Sequence, residues 1–370
     1  MTEPLYVTRP SLPPLEELQP YLERIWASHT LTNGGPLHQE LEAALCDYLG
    51  VPYISLFNNG TIALMTALQV MGLRGEVITT PFTFVATANA IVWNGLTPVF
   101  ADVDPHSLNL DPSSVEACIS ERTAAILPVH CYGAPCAVEE LAQLGHRHGL
   151  PVIYDAAHAF GVQQQQRSLL QHGDLAVLSF HATKVFNTFE GGAIVSHSAE
   201  MKARIDRLKN FGYVSEEEVS EPGLNGKMSE LNAAVGLVQL RHVDAAIAAR
   251  GQVDAQYRDA LAAIPGLDPQ PLPAVSRHNY SYFPLRVRPA FGLSRDALGA
   301  ALKRRGIFGR RYFHPLLTEF SAHAGAAAAA LPHAQSAGAE VFCLPIHGGM
   351  RAEDIQRVIE ALHDIQRSGA

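Results

Sequence analysis

Between residues 51 and 196 the chain alternates short apolar runs with amphipathic stretches. The runs VPYISLF, EVITTP, TPVFADV, TAAILPVH, PVIYDA, LAVLSF and GGAIVS have the length and composition of buried strands. Between several of them lie segments such as TIALMTALQVMGL and AVEELAQLGHRHG, whose apolar positions recur at helical spacing. Alternation of this kind predicts βα units and a mostly parallel sheet buried on both faces. LAVLSF and GGAIVS have no long helix between them, so part of the sheet is expected to be antiparallel.

Farther on, apolar positions three and four apart in MSELNAAVGLVQLRHVDAAIAARGQVDAQYRDALAAI predict a long helix bridging to a second domain. The proline-rich IPGLDPQPLPAV breaks that pattern. A strand in YSYFPLRVR, a helix in SRDALGAALKRRG and a last helix in AEDIQRVIEALHDIQ then predict a smaller α+β domain. The expected division is residues 1–250 and 251–370. Two low-complexity patches, QQQQ at 163–166 in a strand-connecting turn and AGAAAAAL at 324–331 in a helix or loop, receive no chemical role.

Composition narrows the function classes. The chain has 370 residues, 47% hydrophobic and 17% charged, which is a folded chain of enzyme size. A formal charge of −9 without any basic run argues against a nucleic-acid binder built on phosphate contacts. No uninterrupted apolar stretch reaches the ~18 residues that span a bilayer. MTEPLYVTRPSLPPLEEL lacks the basic and apolar regions of a signal peptide. Five cysteines suit a reducing cytoplasm better than a disulfide framework. The 17 histidines are scattered. Neither Cys131-x4-Cys136 beside His130 nor His146-x-His148 has a metal-site spacing, so no metal is expected.

The stretch SFHATKVFNTFEGGAIVS places Lys184 between two strands that read as buried, where a charged amine is costly. Four further features fall at predicted strand ends, where open α/β sheets bind ligands. Asp155 closes PVIYDA, with His158 three residues on; such an acid suits a ribose, a metal, a cationic ring nitrogen or a helix cap. Asn58, Asn59 and Gly60 turn the chain into a helix opening at Thr61, whose free N–H groups suit a phosphate. Phe82 and Phe84 follow a strand end, and either can stack on a flat ring or pack in the core. Ser179 ends a strand five residues before the lysine. Together these groups describe one ligand. A lysine condenses with an aldehyde, a carboxylate pairs with a pyridinium nitrogen, a helix start takes a phosphate and an aromatic covers the ring. That ligand is pyridoxal 5'-phosphate (PLP).

The motifs NNGTIALMTAL, TTPFTFVATANAI, PVFADVD, YDAAHAFG, SFHATK…FEGGAIVS and GLNGKMSELNAA together resemble the sugar aminotransferases of the DegT/DnrJ/EryC1/StrS family. The resemblance runs from LTNGGPLHQELEAAL to the C-terminal helix. It implies an α/β, aspartate-aminotransferase-like fold (PLP fold type I), with a mixed, mostly parallel seven-stranded sheet in a large domain and a smaller α+β C-terminal domain. It implies that Lys184 is the catalytic lysine, holding the cofactor and moving the proton. Asp155 pairs with the ring nitrogen, Phe84 stacks on the ring, and Gly60, Thr61 and Ser179 hold the phosphate. His158 stands near the ring oxygen, where many relatives carry glutamine. Asn225 reaches the phosphate in a neighbouring subunit's site, which implies a homodimer with shared active sites. Lys227 binds an anion where many relatives carry arginine. Glu190 touches substrate or caps its turn. Arg310, Arg311, Tyr312 and His314 contact the substrate's nucleotide.

HATKVFNTFEGG and LNGKMSE are most similar to members acting on dTDP-linked 4-keto-6-deoxy sugars. The implied reaction moves an amino group from L-glutamate to C-4 of such a nucleotide sugar, giving dTDP-4-amino-4,6-dideoxyglucose. The same chemistry at C-3 stays open. Members that dehydrate the sugar carry histidine in place of the lysine, against which Lys184 argues. A PLP-binding regulator without turnover is opposed by the intact lysine, aspartate and phosphate residues.

Overall fold

The computed structural model describes residues 3–323 and 325–368. Every apolar run expected between 51 and 196 forms a strand: β1 (Tyr53–Phe57), β2 (Glu76–Thr79), β3 (Thr97–Phe100), β4 (Thr123–Leu127), β5 (Ile153–Asp155), β6 (Leu175–Ser179) and β7 (Gly192–Ser196). Helices α1 (Leu15–Ser28) and α2 (Pro36–Leu49) precede them. Helices α3 (Gly60–Val70), α4 (Val85–Trp93), α5 (Pro112–Cys118) and α6 (Val138–His148) alternate with the strands. The spatial order is β1-β7-β6-β5-β4-β2-β3, with parallel bridges Ile126↔Val152 and Val129↔Asp155 joining its two halves. Only β7 among these seven is antiparallel, to both β1 and β6. This is where no helix intervenes in the sequence.

The strands are apolar on both faces because helices cover both. On one side Leu41 and Leu45 of α2 join Ile54, Leu56 and Leu178 in one core. Leu64 and Leu68 of α3 join Val77, Ile153 and Val177 in another. Register then decides what meets at the strand ends. Gly192 lies opposite both Phe57 and Ser179. A Cβ at Gly192 would come within 2.7 Å of the backbone of Asn59 and Gly60, so a bare residue lets the start of α3 rest on β7.

After α7 (Ala199–Leu208), an exposed hairpin of Tyr213–Ser215 and Glu218–Val219 leads to α8 (Glu230–Leu261). Val243 and Ile247 of α8 pack in the first core, while Val253, Tyr257 and Leu261 pack in a second. That second core gathers β8 (Leu267–Pro269), β9 (Phe283–Val287), α9 (Arg295–Arg304), β10 (Val341–Leu344) and α11 (Ala352–Ser368), with α10 (Pro332–Glu340) alongside. Leu5 joins it, through a parallel pairing of Leu5–Tyr6 with Ile307–Phe308. Dividing the chain at 250/251 is our reading of these two cores.

Helices α1 and α2 carry apolar residues at helical spacing, Leu18, Leu22 and Ile25 in the first and Leu37, Leu41, Leu45 and Leu49 in the second. α1 carries Pro20 inside and fully buries only Ile25. α2 is fixed from far along the chain, since the Glu230 carboxylate accepts the N–H groups of Leu37 and His38 at 2.8 and 2.9 Å. Of the alanine-rich patch, Ala324 lies outside the described residues, and Ala327–Ala328 pairs with the edge of β3.

Candidate active site

A cavity of about 360 Å³ opens at the carboxyl ends of β1, β5 and β6. Lys184, Asp155, His158, Ser179, Gly60, Thr61, Phe84, Glu190, Arg310 and Tyr312 all line it, so ten residues singled out in the sequence converge. Asp155 is the last residue of β5 and is buried. One carboxylate oxygen accepts the Thr87 hydroxyl at 2.8 Å and the other the Ala157 N–H at 3.1 Å. Burial is the largest influence on this carboxyl and pushes its pKa up, against those two hydrogen bonds and the charge of Lys184.

Lys184 sits on the turn after β6, its backbone N–H bonded to the His181 carbonyl at 2.9 Å. Its amine has no hydrogen bond or ion pair among the described residues, and it lies 5.9 Å from the Tyr282 ring centroid. Burial lowers its pKa to about 8, with Asp155 and Cys131 pulling the other way. An amine without a hydrogen bond or ion pair among the described residues is compatible with an imine to an aldehyde.

The phosphate end is built from backbone. The Asn59 side chain caps α3 by accepting the Ile62 N–H at 2.8 Å. The N–H groups of Gly60 and Thr61 keep no partner among the described residues and are left for an anion. A Cβ at Gly60 would sit 2.9 Å from that of Ser179, filling the cradle between them. The sequence left two phenylalanines open for stacking, and the structure separates them. Phe82 is buried edge-on against Tyr132 and Phe313, whereas Phe84 is exposed at the cavity wall. The residues therefore fit PLP: an unpartnered amine, a buried carboxylate, a bare helix start and a free aromatic ring share one cavity.

His158 is buried between the rings of Phe313 and Tyr282. Burial, aided by Lys184, holds its pKa well below the usual histidine range. Its Nδ1 accepts the Tyr132 N–H at 3.2 Å, so the neutral ring carries its proton on Nε2.

Four predicted residues, Asn225, Lys227, Arg311 and His314, stand apart. Asn225 is exposed and pairs backbone to backbone with Asn210. Lys227 gives its amine to Asn210 Oδ1 at 2.9 Å and lies 4.5 Å from the Phe211 ring centroid. His314 lines an adjoining cavity of about 650 Å³ together with Arg295, Lys303 and Arg311. That cavity shares Phe84, Arg310 and Tyr312 with the first. Sequence reasoning missed Thr87, Tyr282, Phe313 and His181. Thr87 was findable, because it follows Phe84 by one helical turn. Tyr282 and Phe313 arrive from the far end of the chain with no local signal.

No helix among the described residues is long and apolar enough to cross a membrane. Comparison with known proteins gives a consistent picture. The profile of the DegT/DnrJ/EryC1/StrS aminotransferase family matches residues 15–363. A dTDP-4-amino-4,6-dideoxy-D-glucose transaminase of Shigella dysenteriae is 52% identical over 367 residues, covering 99% of this chain and 100% of the relative. A protein of the same name from Escherichia coli is 48% identical, over 96% of this chain and 97% of its own. Among solved structures, DesI in the presence of its TDP-sugar product superposes with a TM-score of 0.94 at 38% identity, covering 100% of this chain and 94% of that one. The chain belongs to the DegT/DnrJ/EryC1/StrS aminotransferase family.

Proposed function

We propose, from membership of that family, that the chain is a PLP-dependent aminotransferase moving an amino group from L-glutamate to C-4 of a dTDP-linked 4-keto-6-deoxy sugar. The product is dTDP-4-amino-4,6-dideoxyglucose. The observation that carries this reading is the unpartnered Lys184 in a cavity with buried Asp155 and the bare start of α3. The names of the Shigella and Escherichia relatives favour C-4 over C-3.

Bound PLP supplies an aldehyde that condenses with amines and a ring that draws electrons from a carbon losing its proton. Asp155 holds a proton on the ring nitrogen, which maximises that withdrawal. Gly60, Thr61 and Ser179 bind the phosphate, Phe84 covers the ring, and His158 donates from Nε2. Lys184 takes the α-proton of glutamate in one half-reaction and returns a proton to the sugar carbon in the other. One base serves both directions. Arg310, Arg311, Tyr312 and His314 face the nucleotide, in a basic cavity tempered by Asp296 between Arg295 and Arg311. The protein works in the cytoplasm as a homodimer in which Asn225 completes the neighbouring site. Large exposed aromatics such as Trp26 and Trp93 support a second copy as their cover.

Incubating the PLP-loaded protein with glutamate and dTDP-4-keto-6-deoxyglucose, or its 3-keto isomer, tests the reading. Mass and NMR analysis should find the 4-amino product from the first substrate. Exclusive turnover of the 3-keto isomer would overturn the C-4 assignment.

A further inference from the structure

At the mouth of the lysine cavity stand two side chains with complementary chemistry, His181 and Glu190. His181 Nδ1 accepts the Thr183 N–H at 3.3 Å and lies 2.8 Å from the Thr183 hydroxyl. With both contacts on Nδ1, the neutral ring carries its proton on Nε2. That N–H faces Glu190 Oε1 at 3.7 Å. The separation is within ion-pair reach but longer than a hydrogen bond, so among the described residues neither the Nε2–H nor the carboxylate makes a hydrogen bond.

Glu190 is held out there by a heavily tied turn. Phe189, the residue before it, is left-handed at φ 65°, which a bulky side chain adopts only when its surroundings impose it. Asn232, in the first turn of α8, donates to the carbonyls of Thr188 at 2.7 Å and Glu190 at 3.0 Å. The Thr188 hydroxyl donates to the Glu190 carbonyl at 2.8 Å, and Phe180 and Gly191 are bonded across the turn. Backbone bonds thus hold the turn that carries both residues and Lys184, and the two side chains stand exposed at the cavity mouth. The group that satisfies both at once is a hydroxyl, which accepts from one and donates to the other.

We propose that His181 and Glu190 together clamp a ring hydroxyl of the acceptor sugar and thereby decide which ring carbon is presented to Lys184. This rests on the aminotransferase reading above. A hexose offers similar carbons around its ring, so an enzyme that aminates one of them must fix the ring's rotation. The nucleotide, bound at the other end, leaves that rotation free. The clamp supplies the second anchor, as a pair of positioning residues.

The test compares wild type with His181→Phe and Glu190→Gln. Calorimetry with dTDP-glucose and with dTDP alone reads the sugar's own share of binding without any turnover. Each variant should lose about tenfold of the dTDP-glucose affinity while dTDP binding holds within about twofold, as for loss of one hydrogen bond. In turnover, each should raise KM for the keto sugar nucleotide and weaken the preference between the 4-keto and 3-keto isomers. The rate at which glutamate bleaches the cofactor's absorbance should stay unchanged. Unaltered sugar affinity and isomer preference in both variants would overturn the clamp. Equal losses for dTDP and for the glutamate step would also overturn it, because the pair would then serve the cofactor or the fold. If wild type ignores glutamate, the aminotransferase reading fails, and the calorimetry still decides for or against the clamp.

Discussion

Two clusters of buried charge flank the same sheet, and they are built on opposite principles. Around Glu42 the charges are satisfied. Its carboxylate meets Lys202 at 2.9 Å, His38 at 3.1 Å, Lys209 at 3.4 Å and the Leu56 N–H at 3.2 Å. Burial alone would raise its pKa, but the His38 hydrogen bond and the two lysines outweigh that and hold it well below the usual carboxylate range. Around Lys184 the charges are left wanting. Among the described residues the amine has no hydrogen bond or ion pair, and burial pushes its pKa down to about 8, while that of Asp155 is pushed up. Both buried groups drift toward their neutral forms. At Glu42 the partners drive the carboxyl toward full charge, whereas at Lys184 burial drives the amine the other way.

The largest effect should come from breaking the second cluster at its centre. Lys184→Ala removes the group proposed to move the proton in both half-reactions. Turnover should fall by about 10⁴-fold, the upper range for loss of a general base. Single-turnover kinetics with glutamate would measure it, and near-wild-type rates would remove Lys184 from the mechanism. The same loss is not expected from Glu42→Gln, which lies in the other cluster.

Glu42→Gln should instead cost stability. Removing one partner of a buried ionic network strands the others, at roughly 3 kcal/mol. Denaturant unfolding at pH 7 would read it. The sign with pH follows from the depressed carboxyl. Between its folded-state value and the ordinary range near 4.3, the unfolded chain binds the extra proton. The Glu42 contribution is therefore complete above that range and is lost as pH falls through it toward the folded value. The variant and wild type should converge in stability in strong acid.

Lys184→Met in the cofactor-free protein should do the opposite, and by less. The folded amine titrates near 8 and an unfolded lysine near 10.5. Below pH 8 both states are protonated and the fold bears the whole cost of the buried charge. Between 8 and about 10.5 the unfolded chain binds more protons, so wild-type stability rises with pH. Methionine should raise the melting temperature at pH 7, with the gap closing by about pH 10. A melting temperature lowered at pH 7 would mean that Lys184 is a structural ion like those around Glu42.

This contrast explains what was legible beforehand. The strands, their mostly parallel direction and an antiparallel part involving β6 and β7 followed from apolar period and connection length. Lys184, Asp155 and Ser179 announced themselves because a strand end is a known ligand position and a buried charge demands a reason. The Glu42 cluster gave no such signal. Its members lie on α2 and α7, where lysine and glutamate are ordinary surface residues, and only tertiary packing brings Lys202 and Lys209 to residue 42. The mouth was legible in part. Arg310 and Tyr312 reach the lysine cavity, but His314 turns to the adjoining one and Asn225 and Lys227 line neither. Residues on loops answer to folding at a distance that no local pattern encodes.

Lys227 offers the smallest and finest test of the contrast. Its family position suggests an anion-binding cation, which would place it with the unsatisfied groups. Its contacts place it with the satisfied ones, since the amine is bonded to Asn210 and lies over the Phe211 ring, while burial lowers its pKa as it does at Lys184. Backbone bridges Phe57↔Lys227 and Asn210↔Asn225 lace the same segment between the end of β1 and the residues after α7. If the amine stays with Asn210 and Phe211 and never meets substrate, Lys227→Met should change KM for the sugar nucleotide by about threefold or less. A rise of tenfold or more, with kcat preserved, would show that the amine leaves Asn210 for the substrate. Lys227 would then join Lys184 as a charge kept for a ligand.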